Sequence, residues 1–489
     1  MNQSHSIAKN FIYQTLTKIF QFVVPIITIP YISRVLGSEG IGAYSFTNSV
    51  IQYFLLIGAL GVSLHGSIAI AKVRDDINER SRVFWEIFSF KLCTSLIALC
   101  LYLIFLFTVD TQYKTLYLVQ AIFLLSTMLD ISWFFVAIED FKKIFIRDLL
   151  LKILIVILIF AVIRGKNDLN LYALILSFSA VLTQFIMWYN LKSNVVFKKP
   201  DIKKIAVHFV PALILFIPLI SGNINATFDR IMLGIFSNVS EVGYYDMAQK
   251  IITLSFTAIT SLSIVIMPRM SNLIAKKDYD CLENLTVKSF RFISFLAVPM
   301  SLGLIAISAN FVPWFFGKEF LKTSTIIIIS APFILFYSWG IFLTNQIMLP
   351  MNMGNKVTLF TFLGALLNII FNLLLIPEYN SYGAAFAWLM AKIIIVASLF
   401  YYLKNLLPLK NMFKEFWKYC ISGLIMFVSL SGLGMVLPAN IITTFIQIFT
   451  GIIIYITSAF ILKTEINTMV IKKTLQLSSL QEKLKLDMN

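Results

Sequence analysis

Ten charged residues stand where charge is hardest to keep, inside long apolar runs. Six are basic (Lys18, Lys91, Lys152, Arg230, Lys250 and Lys392) and four are acidic (Glu86, Asp130, Asp229 and Asp246). An ionised side chain in hydrocarbon is expensive unless it meets water, an opposite charge or a ligand, so such residues face a protein interior or a wet cavity. Bases outnumber acids, so a cavity they share would be cationic and its natural guest an anion. Lys18, Lys91, Arg230, Lys250 and Lys392 are therefore candidates for contact with an anionic substrate. Asp130 and Asp246 are the acids best placed to bind a proton or sodium ion. Plainer readings stand beside these. Lys152 and Glu86 lie about a turn inside their runs, where a long side chain reaches the interface. Asp229 could simply pair or cap, and Asp246 and Lys250, at i,i+4, could be no more than a helix-face ion pair. Lys392 has no acid in its own run.

Uncharged polar residues extend the pattern. Gln14, Lys18 and Gln21 follow helical steps of three and four, as do Asn48 and Gln52, Asn223, Thr227 and Arg230, and Asp246, Lys250, Thr253 and Thr257. Such stripes suit the wall of a cavity. They equally suit hydrogen bonds that glue helices together in lipid, and spacing alone does not choose between the two. Asn368 and Asn372 repeat in the same way further on.

The elements that carry these residues must be membrane spans. The chain has 489 residues, 59% hydrophobic and only 13% charged, which excludes an ordinary soluble domain. Apolar runs of about 20 residues number about fourteen. They lie near 11–33, 40–64, 83–108, 114–138, 145–163, 169–191, 207–235, 242–267, 290–316, 323–349, 356–376, 382–403, 416–437 and 440–462. The net charge of +16 is a matter of topology rather than of nucleic acid. About 28 basic residues fall in the even-to-odd connections and the two termini, against about 6 in the odd-to-even connections, which predicts both termini in the cytoplasm. The connections are short, and no GxxxxGK[ST] phosphate loop is present to bind a nucleotide. The four cysteines form no CxxC pair and the three histidines are scattered, so no cofactor or metal centre is expected.

The chain also looks duplicated. Two prolines, Pro25 and Pro30, precede Arg34, Leu36, Gly37, Glu39, Gly42 and Tyr44, as Pro211 and Pro218 open a later stretch, and Glu39, Gly42 and Tyr44 are echoed by Glu241, Gly243 and Tyr245, with one residue fewer between the glutamate and the glycine. This reads as a two-helix unit opening each half of a transporter. PYISRVLGSEGIGAYSFTNSVIQYF, the LDISWFFVAIEDFKKIFIR stretch from Leu129 to Arg147, DRIMLG followed by EVGYYDMAQK, NQIMLPMNMGNK from Asn345 to Lys356 and IPEYNSYGAAFAW resemble, in that order, bacterial polysaccharide flippases. These belong to the superfamily that also holds multidrug exporters and the lipid II flippase. The resemblance covers residues 1 to about 460. It implies an all-α polytopic fold of about 14 helices in two six-helix bundles related by a pseudo-twofold axis. The bundles would span 1–204 and 205–404, with two extra helices over 405–462 and a basic cytoplasmic tail over 463–489.

It further implies a non-enzymatic, alternating-access carrier of undecaprenyl-pyrophosphate-linked oligosaccharide repeat units for O-antigen, capsule or exopolysaccharide. The carrier would lie in the bacterial cytoplasmic membrane, beside a polysaccharide polymerase and chain-length proteins. A gradient of protons or sodium ions would serve in place of a cofactor. A multidrug exporter of the same superfamily would favour an acidic cavity, and the six-to-four balance of bases over acids speaks against it. A membrane enzyme would need a catalytic cluster near the membrane face, and the short connections leave little room for one.

Overall fold

The computed structural model describes the backbone of residues 2–109 and 111–466, and its side chains except those of 2–12, 14, 15, 18, 19, 21, 22, 202, 217–226, 258, 261, 262, 264 and 265. Among the described residues the chain is helical, with no strand. Among the described residues eight helical spans are long and apolar enough to cross a bilayer, and a ninth arises if the pair Lys318–Ser330 and Phe333–Met348, bent by 48°, counts as one span. This is fewer than the apolar runs of the sequence, partly because two continuous helices each hold two runs joined at a sharp turn. The joints are Gly37 (φ 70°) and Asn380 (φ 52°), residue types that tolerate a left-handed backbone.

By its contacts the chain divides into two units, Met1–Gly243 and Tyr244–Asn489. The first holds α1 (Asn2–Ala59), α2 (Val62–Lys72), α3 (Ile77–Thr108), α4 (Lys114–Gln120), α5 (Ile122–Leu129), α6 (Ser132–Ala137), α7 (Phe141–Val162), α8 (Leu169–Leu191), α9 (Ile202–Val207) and α10 (Phe209–Phe236). α10 packs on α1 and α2 of this unit. After α11 (Val239–Ala275), the second unit holds α12 (Tyr279–Phe315), α13 (Leu321–Ser330), α14 (Phe333–Ile341), α15 (Gly354–Tyr402), α16 (Leu409–Phe413), α17 (Phe416–Val436) and α18 (Ile441–Ile461). A π-helical turn, Phe342–Met348, follows α14.

Acids in the connections begin the helices. The side chains of Asp76, Asp140, Asp201 and Asp278 accept the first free backbone N–H groups of α3, α7, α9 and α12, as Asn440 does for α18. Beside an apolar core, large hydrophobic side chains lie on the outside and polar ones within. Ile104, Phe107, Leu374 and Val428 are exposed, whereas Lys91, Gln120, Gln346 and Asn372 are buried. Apolar surface faces hydrocarbon at no cost, and the polar groups collect inside.

One contact bears directly on the sequence repeat. A Cβ on Gly42 would lie 1.6 Å from the Val239 carbonyl oxygen, and one on Gly243 would lie 2.2 Å from that of Ser38. Each glycine thus lies against the carbonyl four residues before the other. The two positions matched in the sequence repeat are partners in a locally reciprocal contact that only hydrogen side chains allow.

Candidate functional site

The first unit contains an open cleft of about 330 Å³, whose wall is apolar at Leu55, Leu56 and Ala59 and polar at Gln52, Ser63, Lys91, Thr127, Asp130 and Gln184. Two helix breaks build it. α1 ends at Ala59, and Leu60 and Gly61 take positive φ values of 35° and 71° before α2. A Cβ on Gly61 would meet the Ala212 carbonyl oxygen at 2.4 Å, so this break also brings α10 close. The second break is Asp130–Ile131, between α5 and α6. The sequence places Asp130 inside a continuous span, 114–138. The structure keeps the apolar span, Lys114–Ala137, but builds it from three short helices, with Asp130 extended (ψ 119°) at a joint.

A broken helix within a membrane leaves backbone carbonyls to be satisfied by side chains. Trp188 Nε1–H donates to the Leu129 carbonyl at 2.9 Å. Lys91 Nζ donates to the Asp130 carbonyl at 2.8 Å and to its carboxylate at 2.7 Å, and Trp133 Nε1–H reaches the same carbonyl at 3.2 Å. The Ser132 backbone N–H donates to the other carboxylate oxygen at 3.0 Å. Phe84, Phe88, Trp133 and Trp188 pack ring against ring around the joint and fix α3, α6 and α8 there. Lys91 is 1% exposed, and the pair it forms is close to neutral. The polar side of the cleft therefore offers amides, hydroxyls and a compensated ion pair rather than an open cation. It suits neutral polar groups such as sugar hydroxyls.

Lys91, Asp130 and Gln52 are thus brought together, and Asn48 joins them through a 3.5 Å hydrogen bond from Gln52. Ser63, Thr127 and Gln184 were missed by sequence reasoning. The signal for Thr127 was present: three polar residues within five positions, Ser126, Thr127 and Asp130, interrupt an apolar run and mark a joint. Gln184 had no such marker. Arg230 is half-buried on α10, near buried Thr227 and Asp229. The side chains of Lys18, Gln14, Gln21 and Asn223 lie outside the described residues.

The second unit holds Asp246, Lys250 and Lys392. Lys250 Nζ pairs with the buried Asp246 carboxylate at 2.8 Å, the i,i+4 bridge that spacing allowed. Lys392, on α15, has a different environment. Its Nζ lies 4.6 Å from the Tyr337 ring centre and 5.9 Å from that of Phe333, both on α14. A Cβ on Gly340 would come within 3.3 Å of that Nζ, so the ammonium is seated against α14 where the side chain is smallest. Among the described residues no carboxylate pairs with it. Aromatic faces stabilise a cation without neutralising it, which leaves its charge available to an anion.

Comparison with known proteins gives consistent relatives. A family model described as "Polysaccharide biosynthesis protein" matches residues 7–274. A probable low-salt glycan biosynthesis flippase of Haloferax volcanii is 25% identical over 60% of this chain, and the match spans 62% of that protein's length. A putative O-antigen transporter of Shigella dysenteriae is 22% identical over 79% of this chain and 98% of its own. Among solved structures, the lipid II flippase MurJ in an inward closed conformation matches with a TM-score of 0.74 at 17% identity, over 92% of this chain and 98% of that one. The last likeness establishes a shared fold.

Proposed function

Because the chain belongs to the polysaccharide biosynthesis protein family, whose model covers residues 7–274, we propose that it is a flippase that carries a lipid-linked oligosaccharide across the bacterial cytoplasmic membrane. The cargo on this reading is an undecaprenyl-pyrophosphate-linked repeat unit of O-antigen, capsule or exopolysaccharide, and no covalent step is involved. The pyrophosphate needs cations in place of water, because its charge cannot enter hydrocarbon bare. Lys392, Arg230, Lys250 and Lys18 hold it in turn as access alternates, and the prenyl tail stays in lipid. The polar side of the cleft, at Lys91 and Asp130, receives sugar hydroxyls. Asp130 and Asp246 are candidates to bind a coupling proton or sodium ion. The observation that carries the reading is Lys392, a membrane-embedded ammonium faced by aromatic rings and by no carboxylate among the described residues.

The finer architecture is part of this proposal: about fourteen spans, two six-helix halves related by a pseudo-twofold axis, two extra helices and both termini in the cytoplasm. The reciprocal Gly42 and Gly243 contact supports the repeat. Reporter fusions at Asp168 and Glu378 should report the external face, and a cytoplasmic signal from either contradicts the topology.

The cation hypothesis is tested by substitution. Lys392→Gln should leave protein level unchanged or raised and reduce surface polysaccharide, because it removes an uncompensated charge. Arg230→Gln should lose polysaccharide, and Arg230→Lys should be intermediate, since it keeps charge but loses the planar fork that grips phosphate oxygens. Lys250→Gln alone would break the ion pair with buried Asp246, so the informative variant pairs it with Asp246→Asn. Normal polysaccharide in all of these would reject the cationic route.

A further inference from the structure

Two of the chain's three histidines meet in the first unit, 143 residues apart in sequence. His65 lies on α2, and His208 is the residue between α9 and α10. His65 Nε2 and His208 Nδ1 are 2.9 Å apart. His208 Nε2 lies 3.6 Å from a carboxylate oxygen of Glu86 on α3. Glu86 is 4% exposed, and its other oxygen has no hydrogen-bond partner among the described residues; Arg82 Nε is 3.8 Å from it.

A hydrogen bond between two imidazole nitrogens requires one N–H and one lone pair, and this sets the proton count. With both rings neutral, His65 Nε2–H donates to His208 Nδ1, and His208 Nε2–H faces the Glu86 carboxylate. The row then carries one negative charge. One added proton makes it neutral, as a His208 imidazolium beside the carboxylate or as a protonated Glu86. In the first case both ring nitrogens of His208 are donors, and His65 must turn to offer a lone pair. A second added proton leaves the row cationic, and if it falls on His65 the two imidazoliums lose their hydrogen bond and repel. The groups lie in a line rather than around a point, and no cluster of three or more His, Cys, Asp or Glu among the described residues could hold a metal ion. The ligand that suits the row is a proton. Other charged groups act on it: Glu79 and Arg82 on α3, Asp201 and Lys204 at α9, and Lys72 on α2.

We propose that Glu86, His208 and His65 form a proton-binding site at the corner where the connection after α8 turns into α10. On the flippase reading above, on which this further step rests, that proton is a coupling ion. Taken up on His208, it tightens the attraction to Glu86 and so changes how α10, the helix bearing Arg230, is held against α3. Sequence reasoning weighed Glu86 only as an interfacial acid and found the histidines scattered.

The test exploits the scarcity of histidine. The full chain, with His5→Gln and ring-labelled histidine, is placed in lipid nanodiscs and its imidazole shifts are followed against pH by NMR. His65 and His208 should titrate as a coupled pair. Glu86→Gln should lower the His208 midpoint by about 1–3 units, the size expected when a neighbouring opposite charge is lost. If Glu86→Gln does not fold, His65→Gln serves instead, because removing the second ring should shift the His208 midpoint. Independent midpoints, indifferent to both substitutions, overturn the site. In liposomes holding a pyrophosphate-linked glycolipid, an imposed pH gradient should change the rate of movement, and Glu86→Gln and His208→Gln should abolish that response. Coupled titration without any response to the gradient keeps the site and rejects its coupling role. Coupled titration in a chain that moves no glycolipid at all keeps the site and rejects the flippase reading.

Discussion

Lys91→Met should cost the protein about 3–5 kcal/mol of stability, the penalty for breaking a buried ion pair by removing one partner. Lys91 supplies two hydrogen bonds to Asp130, one to the carboxylate at 2.7 Å and one to the main-chain carbonyl at 2.8 Å, from a site that is 1% exposed. Without it the carboxylate keeps the Ser132 N–H, and the carbonyl keeps the Trp133 indole. Neither replaces the lost charge. The double variant Lys91→Met with Asp130→Asn should recover most of the loss, because no bare charge remains. Thermal unfolding of the purified protein, compared across the two single variants and the double, gives the coupling directly. If instead Lys91→Met keeps wild-type stability and only transport falls, the lysine belongs to the substrate and its pairing with Asp130 is incidental.

Gly42→Ala should be at least as damaging. The new methyl would lie 1.6 Å from the Val239 carbonyl oxygen, and a backbone oxygen cannot swing aside as a side-chain tip can. Overpacking a well-filled contact costs about 1–3 kcal/mol and more where backbone must shift. This contact joins two helix starts at a single point, so little folded protein should accumulate. Gly243→Ala should fail in the same way against the Ser38 carbonyl, 2.2 Å from its added carbon. Gly165→Ala is the control, because a Cβ there meets nothing within 4 Å. Wild-type amounts of folded Gly42→Ala protein in the membrane fraction would mean that the helices do not approach as described.

Much of this architecture is legible in the sequence because it depends on local chemistry. Gly37 and Asn380 mark sharp joints since few other residues take that backbone readily. Asp246 and Lys250 pair because one helical turn brings them together. Gly42 and Gly243 stand out as matched positions in a repeat. What stays hidden depends on residues far apart in the chain. Lys91 and Asp130 are visible as buried charges, but their pairing spans 39 residues. The joint at Asp130 interrupts a run that hydropathy reads as continuous, because Lys91 on α3 and Trp188 on α8 help to satisfy its carbonyls. Lys392 is visible as a charge without a local acid, but the aromatic faces of Phe333 and Tyr337 that accept it lie on another helix. The pairing of His65 with His208 had no sequence signal, since nothing local links two histidines on separate helices.

On the proposed reading, a cationic route through this chain carries a lipid-linked pyrophosphate. The most direct test of this reading is transbilayer movement of a fluorescent polyprenyl-pyrophosphate oligosaccharide in liposomes, read by loss of the outer-leaflet signal to a membrane-impermeant quencher. The wild-type chain should equilibrate the lipid between leaflets, and Lys392→Gln, reconstituted at equal density, should not. A wild-type chain that leaves the lipid where it was placed, or a Lys392→Gln chain that moves it as fast as wild type, would rule out the cationic route.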